Sequence, residues 1–206
     1  MDLQKAIAIA GPLSYPSKMP CPSWGIDPKH CKSGSKRRKM KGTVCSTCYA
    51  CKGCYNFKNV RAVQEVRLEG VSHPLWTEAI ATQIRAANTT RFRWFDSGDV
   101  QSPEHLEKIY RVAELLPEVE FWMPTQEYKM VKNARKPPDN LVVRVSHPML
   151  NPKTQLKGFA CQSAVADKDG KGFKCPASWG DKHKCAENNC TACWDKQVSL
   201  ITYRRH

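Results

Sequence analysis

Eleven cysteines stand at positions 21, 31, 45, 48, 51, 54, 161, 175, 185, 190 and 193 of a 206-residue chain. The densest run is Cys45-Ser46-Thr47-Cys48-Tyr49-Ala50-Cys51-Lys52-Gly53-Cys54, four thiols each three residues apart. A C-x2-C turn brings two thiolates onto one metal, and successive C-x2-C steps wrap the iron–sulfur cubes of small ferredoxins. A second nucleus is Cys185-x4-Cys190-x2-Cys193-Trp194, with Cys175-Pro176 ten residues ahead. Cys21-Pro22 and Cys31 sit upstream of the first run. The count is odd, and no apolar export-signal core follows Met1-Asp2-Leu3-Gln4-Lys5. A cytoplasmic, reducing setting is therefore expected, which favours metal or iron–sulfur ligation over disulfides. Tetrahedral zinc would accept the same thiolates, and spacing alone does not separate it from iron. His30 and His183 lie near cysteines without forming an H-x3-5-H pair. Cys161 stands apart and reads as a buried small hydrophobe.

Charge divides the chain in the same way as cysteine. Residues 1–60 carry 11 basic and 2 acidic groups, residues 61–150 carry 12 of each, and residues 151–206 carry 10 and 5. The expectation is one domain over 1–206, with a basic cysteine-rich lobe (1–60 and 151–206) folded over a β/α core (61–150). The net charge of +14 exceeds what nearby thiolates would balance and is the footprint of a polyanion partner. Lys36, Arg37, Arg38, Lys39 and Lys41 form its densest run and are the candidate nucleic-acid contacts. Trp24, Tyr49, Tyr55, Phe57 and Trp194 are candidates to stack on unpaired bases. No stretch approaches the ~20 apolar residues of a membrane helix, so no membrane partner is expected.

The elements that must position these groups are legible in the middle. Leu75, Trp76, Ala79, Ile80 and Ile84 predict an amphipathic helix over 73–88. Residues 91–96 alternate as a strand. Ser102-Pro103 opens a helix with Leu106, Ile109, Tyr110, Ala113 and Leu116 buried. Residues 119–123 and 141–145 predict two further strands, with a short helix over 127–135 between them. Strand–helix alternation implies an α/β fold with parallel strands, either a partial (β/α) barrel or a small mostly parallel sheet. Eight units need ~250 residues, so a complete barrel is excluded. Chemistry in such folds sits at the carboxyl ends of the strands. There stand Asp96-Ser97-Gly98-Asp99, Thr125-Gln126-Glu127 and Ser146-His147. Asp96, Asp99 and Glu127 are candidate proton-transfer or Mg²⁺-binding carboxylates, and Arg144 a candidate anion holder.

Several stretches resemble the bacteriophage "gene product 88" family: 17–25 through Cys21, 31–36 through Cys31, 44–50 through Cys45 and Cys48, then 92–99, 121–128, 140–146 and 190–195. That family is similar in turn to phage proteins with a reduced radical-SAM-like barrel, in which a Cys-Tyr-Ala tripeptide ends the cluster-binding loop. The resemblance implies phage origin and cysteine-bound [4Fe-4S] iron–sulfur, one cluster or two, and leaves open whether S-adenosylmethionine binds. The ligands it implies are Cys21, Cys31, Cys45 and Cys48, with Cys175, Cys185, Cys190 and Cys193. The two halves hold separate sites or interleave, and zinc in one or both remains open. No C-x3-C occurs here, which departs from the C-x3-C-x2-C loop, and the family pattern demotes Cys51 and Cys54. Two functions follow as expectations: an iron–sulfur protein acting on nucleic acid or another anionic substrate, or a non-enzymatic metal-stabilised module binding nucleic acid or a host protein.

Overall fold

The computed structural model describes residues 1–205. Its strands are β1 (Ser23–Trp24), β2 (Arg91–Trp94), β3 (Glu120–Thr125), β4 (Leu141–Leu150), β5 (Gln162–Ala166), β6 (Phe173–Lys174) and β7 (Leu200–Arg204). Its helices are α1 (Leu3–Ala10), α2 (Lys32–Arg38), α3 (Lys58–Gly70), α4 (Trp76–Ala86), α5 (Pro103–Leu115), α6 (Tyr128–Asn133) and α7 (Pro176–Trp179). Among the described residues the seven strands form one all-parallel sheet in the order β1-β2-β3-β4-β5-β7-β6. The α/β expectation thus holds, as a parallel sheet.

The stretches read as helices and strands in the middle of the chain fold as such. Ser102 accepts the His105 backbone N–H at 3.1 Å and Pro103 fills the first turn, so α5 starts where the cap demands. The strand expected at 141–145 runs on to Leu150, past a register shift between Ser146 and Leu150. The division into core and lobe does not describe the sheet, because β1, β5, β6 and β7 all come from the cysteine-rich flanks. Two of these strands are two residues long and carry no period to read.

Strands β1 to β5 lie side by side in chain order, and right-handed crossovers then place their helices on one face. The side chains alternate accordingly. Phe92, Trp94, Phe121, Met123 and Leu141 pack with Trp76, Ile80 and Ile84 of α4 and with Leu106 and Ile109 of α5 in one buried cluster. Each such side chain contributes roughly 1.5–3 kcal/mol on leaving water. Trp122, between Phe121 and Met123, points to the opposite face and packs with Cys21, Cys175, Cys193, Trp194 and Ile201. The helix-free face is therefore covered by the cysteine-rich segments.

Two buried polar side chains brace the helix face. Arg67 of α3 donates to the carbonyls of Pro12 (2.6 and 2.9 Å) and Gly25 (3.0 Å) and to Ser14 Oγ (2.7 Å), fixing the approach to β1. His105 lies edge-on to Trp24 and Trp76, with ring centroids 5.7 and 5.1 Å apart. Burial, reinforced by Lys108, pulls its pKa down to about 3, so the ring is neutral.

Candidate metal centre

Between β1 and α3 the chain makes a long excursion over the carboxyl ends of β2 and β3. Its first anchor is reciprocal: Ile26 N–H donates to the Ser97 carbonyl (3.1 Å), and Ser97 Oγ donates to the Ile26 carbonyl (2.8 Å). Beneath it β2 ends abruptly. Phe95 takes φ +55° and Gly98 φ +79°, and a Cβ at Gly98 would stand 2.7 Å from the Ile26 carbonyl oxygen. A left-handed non-glycine residue at a strand end is stored strain of the kind that sites carry. The excursion is also tied to the rim by Tyr49, whose hydroxyl donates to the Asp96 carbonyl at 2.5 Å.

Four thiols gather on this excursion. Cys31 caps α2, Cys45 lies in the 3-10 turn Val44–Thr47, and Cys48 and Cys51 flank the next turn. Cys31 is within electrostatic reach of Cys45 and Cys48, and Cys48 in turn of Cys51. Gly34 of α2 leaves the space between them open: a Cβ there would lie 3.6 Å from both Cys31 Sγ and Cys45 Sγ. Burial pushes the Cys31 and Cys45 thiols up, and Asp99 raises both further. Cys45 Sγ also meets Gln126 Oε1 at 3.4 Å.

The acidic residues of the rim divide by what they touch. Asp99 accepts from Val100 N–H (2.8 Å), Thr125 Oγ1 (2.6 Å) and Gln126 N–H (2.8 Å). Burial outweighs these donors and pushes its pKa up to about 7. Glu127 spends both oxygens on Ser33, accepting from its backbone N–H and its hydroxyl at 2.8 Å each. It caps α2 through both oxygens, a bracing role that the proton-transfer or Mg²⁺ role expected of it did not include. Asp96 is 6% exposed, and its Oδ1 has no hydrogen-bond partner among the described residues.

Arg144 corrects its reading as an anion holder. It is fully buried and donates to the carbonyls of Cys193 (Nε, 3.0 Å), Ala192 and Asp195 (Nη2, 2.9 and 2.6 Å) and Val198 and Gln162 (Nη1, 2.6 and 3.5 Å). Every guanidinium nitrogen is engaged in shaping the loop that follows Cys190.

The remaining thiols collect elsewhere. Cys185 lies within electrostatic reach of Cys175 and Cys190, Cys21 of Cys185, and Cys193 of Cys175. Cys21 therefore packs with Cys175 and Cys193 of the C-terminal stretch rather than with Cys31. Burial pushes Cys21 and Cys193 up to about 12. Cys51, demoted by the resemblance, sits among the rim thiols, whereas Cys54 is exposed. Cys161 is half-exposed rather than buried. None of the eleven cysteines forms a disulfide. Among the described residues no three His, Cys, Asp or Glu side chains already stand in metal-holding geometry. By chemistry alone the donors are soft sulfur, the type a thiophilic group takes, and two of them, Cys31 and Cys45, border the space that Gly34 leaves.

A residue with no role in the sequence reading lies between Tyr49 of the excursion and the thiols of the helix-free face. Arg93 projects from β2 opposite to Phe92 and Trp94 and lies over the Trp122 ring at 4.7 Å. It donates to Tyr49 Oη (3.3 Å) and acts electrostatically on Cys21, Cys185 and Cys193. Its strand alternation was the available signal.

The basic run is only partly free. Arg37 donates to Gln126 Oε1 (2.7 Å) and lies over Tyr128, and Arg38 donates to the Pro28 carbonyl (2.9 Å). Lys36, Lys39 and Lys41 are exposed. Of the aromatic candidates, Trp24 (0% exposed) and Trp194 (7%) are core and cannot stack on a base, whereas Tyr49 and Phe57 are exposed.

A family model described as gene product 88 matches residues 3–196. The chain belongs to the gene product 88 family. The match takes in every cysteine, the strand-end rim and α2. No curated protein matches this family member, and no solved structure does. No helix among its described residues is long and apolar enough to cross a membrane.

Proposed function

We propose that this gene product 88 family member is a phage iron–sulfur protein that engages nucleic acid or another polyanion beside its cluster. Cys31, Cys45 and Cys48 are the rim ligands, with Cys51 next to them. The observation that supports the reading is that Cys31 Sγ and Cys45 Sγ both lie 3.6 Å from the Cβ position of Gly34, with Cys45 on Gln126 and with Cys48 and Asp99 within electrostatic reach of Cys31. A cluster bound there supplies one-electron chemistry. The chain's own residues do the rest. Arg37 and Arg38 lie close enough to offset thiolate charge, Gln126 holds Cys45, and Asp99, near neutral pH, can hold or release a proton beside Cys31 and Cys45. Lys36, Lys39 and Lys41 present a cationic edge next to the same gap.

The test is anaerobic purification followed by iron and sulfide analysis and an absorption spectrum. A brown protein losing its iron in Cys45→Ser is expected, and a colourless, iron-free protein would sink the reading. For the polyanion, replacing Lys36, Lys39 and Lys41 by Ser should reduce the salt slope of duplex binding by about 2.7, at ~0.9 per phosphate contact. A second reading, a metal-held binding module without catalysis, is favoured by the structural employment of Glu127 and Arg144. It predicts that polyanion affinity survives Asp99→Asn unchanged.

A further inference from the structure

We propose that the polyanion is a single-stranded nucleic acid, one base of which stacks on Phe57 while the phosphates lie along the lysines of the excursion between β1 and α3. The inference rests on the polyanion part of the function proposed above and not on its iron.

The first observation is unpaired charge. Residues 27–61, the excursion and the first turn of α3, carry ten Lys and Arg against one carboxylate, Asp27. Asp27 is 5% exposed and accepts the Lys29 backbone N–H at 2.8 Å. Eight of the ten cations are exposed. Among the described residues, Lys29 alone of the ten has a carboxylate within ion-pair distance. Elsewhere on the surface arginines are matched, Arg91 with Glu120, Arg135 with Glu107 and Glu114, and Arg205 with Asp167. Like charges at this density repel one another, and a chain of phosphates is their complement.

The second observation is the ring that stands among them. Phe57 is 60% exposed and lies in sequence between the exposed Lys52 and Lys58. It takes the N-cap position of α3 without bonding any helix N–H, where Ser, Thr, Asp or Asn would stabilise the helix. The position forgoes a cap and turns a ring to solvent instead. Its backbone is fixed on both sides: Phe57 N–H donates to the Cys54 carbonyl (3.1 Å), and the Phe57 carbonyl accepts from Arg61 N–H (3.0 Å). Tyr49, 47% exposed, is the other exposed ring of the excursion and packs edge-on to Tyr55, with centroids 5.8 Å apart. Rings presented beside a cationic track are how single strands are held without sequence preference, since every base has a π-face.

The third observation is continuity. The 3-10 turn Tyr49–Cys51 packs against both Pro28–His30 and Gly53–Asn56, and Pro28–His30 packs against α2. Neighbouring elements thus join the Phe57 end to Lys32 and Lys36 of α2. A duplex would leave the ring idle, because its base faces are covered by their neighbours. Nor does the excursion offer a free helix to a groove: α2 is seven residues long and pinned to the rim by Ser33 on Glu127 and Arg37 on Gln126.

The test is fluorescence anisotropy on the full chain, purified anaerobically, with three labelled probes of about 12 nucleotides, within the span of one single-strand site. They are oligothymidine, an abasic deoxyribose-phosphate strand and a duplex. Phe57→Ser should weaken oligothymidine binding roughly 5–150-fold, as the loss of one stacked base does, and leave the abasic strand and the duplex unchanged. Phe57→Tyr keeps a ring and should bind as wild type. Serine is a favoured N-cap, so the variant should unfold at the wild-type temperature or above it. Unchanged oligothymidine affinity in Phe57→Ser, or an equal loss on all three probes, overturns the stacking site and leaves the polyanion reading standing. Failure of wild type to bind any of the three at low salt sinks both. Iron is assayed on the same samples, so the cluster reading is judged separately.

Discussion

Replacing Arg144 with Met separates a staple from an anion holder. The side chain is fully buried, and four of its bonds to carbonyls are 3.0 Å or shorter, with a fifth at 3.5 Å. Methionine keeps the apolar stem but removes the guanidinium, so the carbonyls of Ala192, Cys193, Asp195 and Val198 lose their donor. Four charge-assisted bonds at about 1.5–3 kcal/mol each set an upper bound of roughly 6–12 kcal/mol. Burying the guanidinium costs several kcal/mol that the variant no longer spends, so a net loss of about 3–5 kcal/mol is expected. At about 2–4 °C per kcal/mol for a chain of this size, Tm should fall by roughly 6–20 °C. Thermal unfolding followed by circular dichroism reads this directly. Arg144→Lys keeps the charge but not the fork, so it should be destabilised as well, while polyanion affinity of the folded fraction stays unchanged. A Tm within ~2 °C of wild type in both variants, together with weakened polyanion binding in Arg144→Met, would refute the staple and restore the anion role.

Three further outcomes are expected. His105 is neutral in the native state with a pKa of about 3, against ~6.5 unfolded, so its contribution is intact above pH 6.5 and declines as the unfolded chain takes up a proton below it. The unfolding free energy of wild type minus that of His105→Phe should therefore fall by about 1.4 kcal/mol per unit from pH 6 to pH 4. Asp99, raised to about 7, contributes in the opposite direction but equally to both proteins, and a flat difference would show that His105 is not what titrates. Glu127→Ala should release the start of α2 at a cost of about 1–2 kcal/mol, read as trypsin cleavage at Lys36–Lys41 accelerated roughly 5–30-fold. An unchanged cleavage rate would mean the cap is idle. Gly34→Ala would set a methyl 2.9 Å from Cys31 Cβ and 3.6 Å from two sulfurs. It should cut rim iron several-fold at near-constant Tm, because the better helix propensity, worth about 1 kcal/mol, offsets crowding. Full iron occupancy in that variant would move the cluster away from this gap.

Periodicity made the middle of the fold readable because its elements are long and half-buried. Leu106, Ile109, Tyr110 and Ala113 repeat at helical spacing, and Ser102-Pro103 announces the start. The flanks offer no such pattern. Strand β5 is Gln-Ser-Ala-Val-Ala, buried on both sides with small residues, and β1 and β6 are two residues each. Which thiols share a site was hidden for a different reason. Cys21 is near Cys31 in sequence, but it precedes β1, whereas Cys31 follows it. Cys21 packs with Trp122 on the face opposite the helices, whereas Cys31 follows the excursion over the strand ends, which spacing cannot report. Glu127 and Arg144 show a further limit: a charged residue beside a strand end reads the same whether it faces a ligand or the backbone of a neighbouring loop. The concentration of chemistry at the strand ends was legible, since it follows from parallel topology.

The placement of β7 sets an order of assembly. It lies between β5 and β6, although it comes after both in the sequence, and β6 borders it at the sheet's edge. The short β6 has nothing to zip onto until Leu200–Arg204 have docked, and Cys175 is held by Thr202 of that same strand. The sulfurs of the back face can therefore converge late in folding, after the rim excursion, which leans on β2 and β3, has had the means to settle. Nascent or partly refolded chains should display those back-face thiols to solvent and to oxidants, which makes reducing conditions during refolding a requirement of the topology itself.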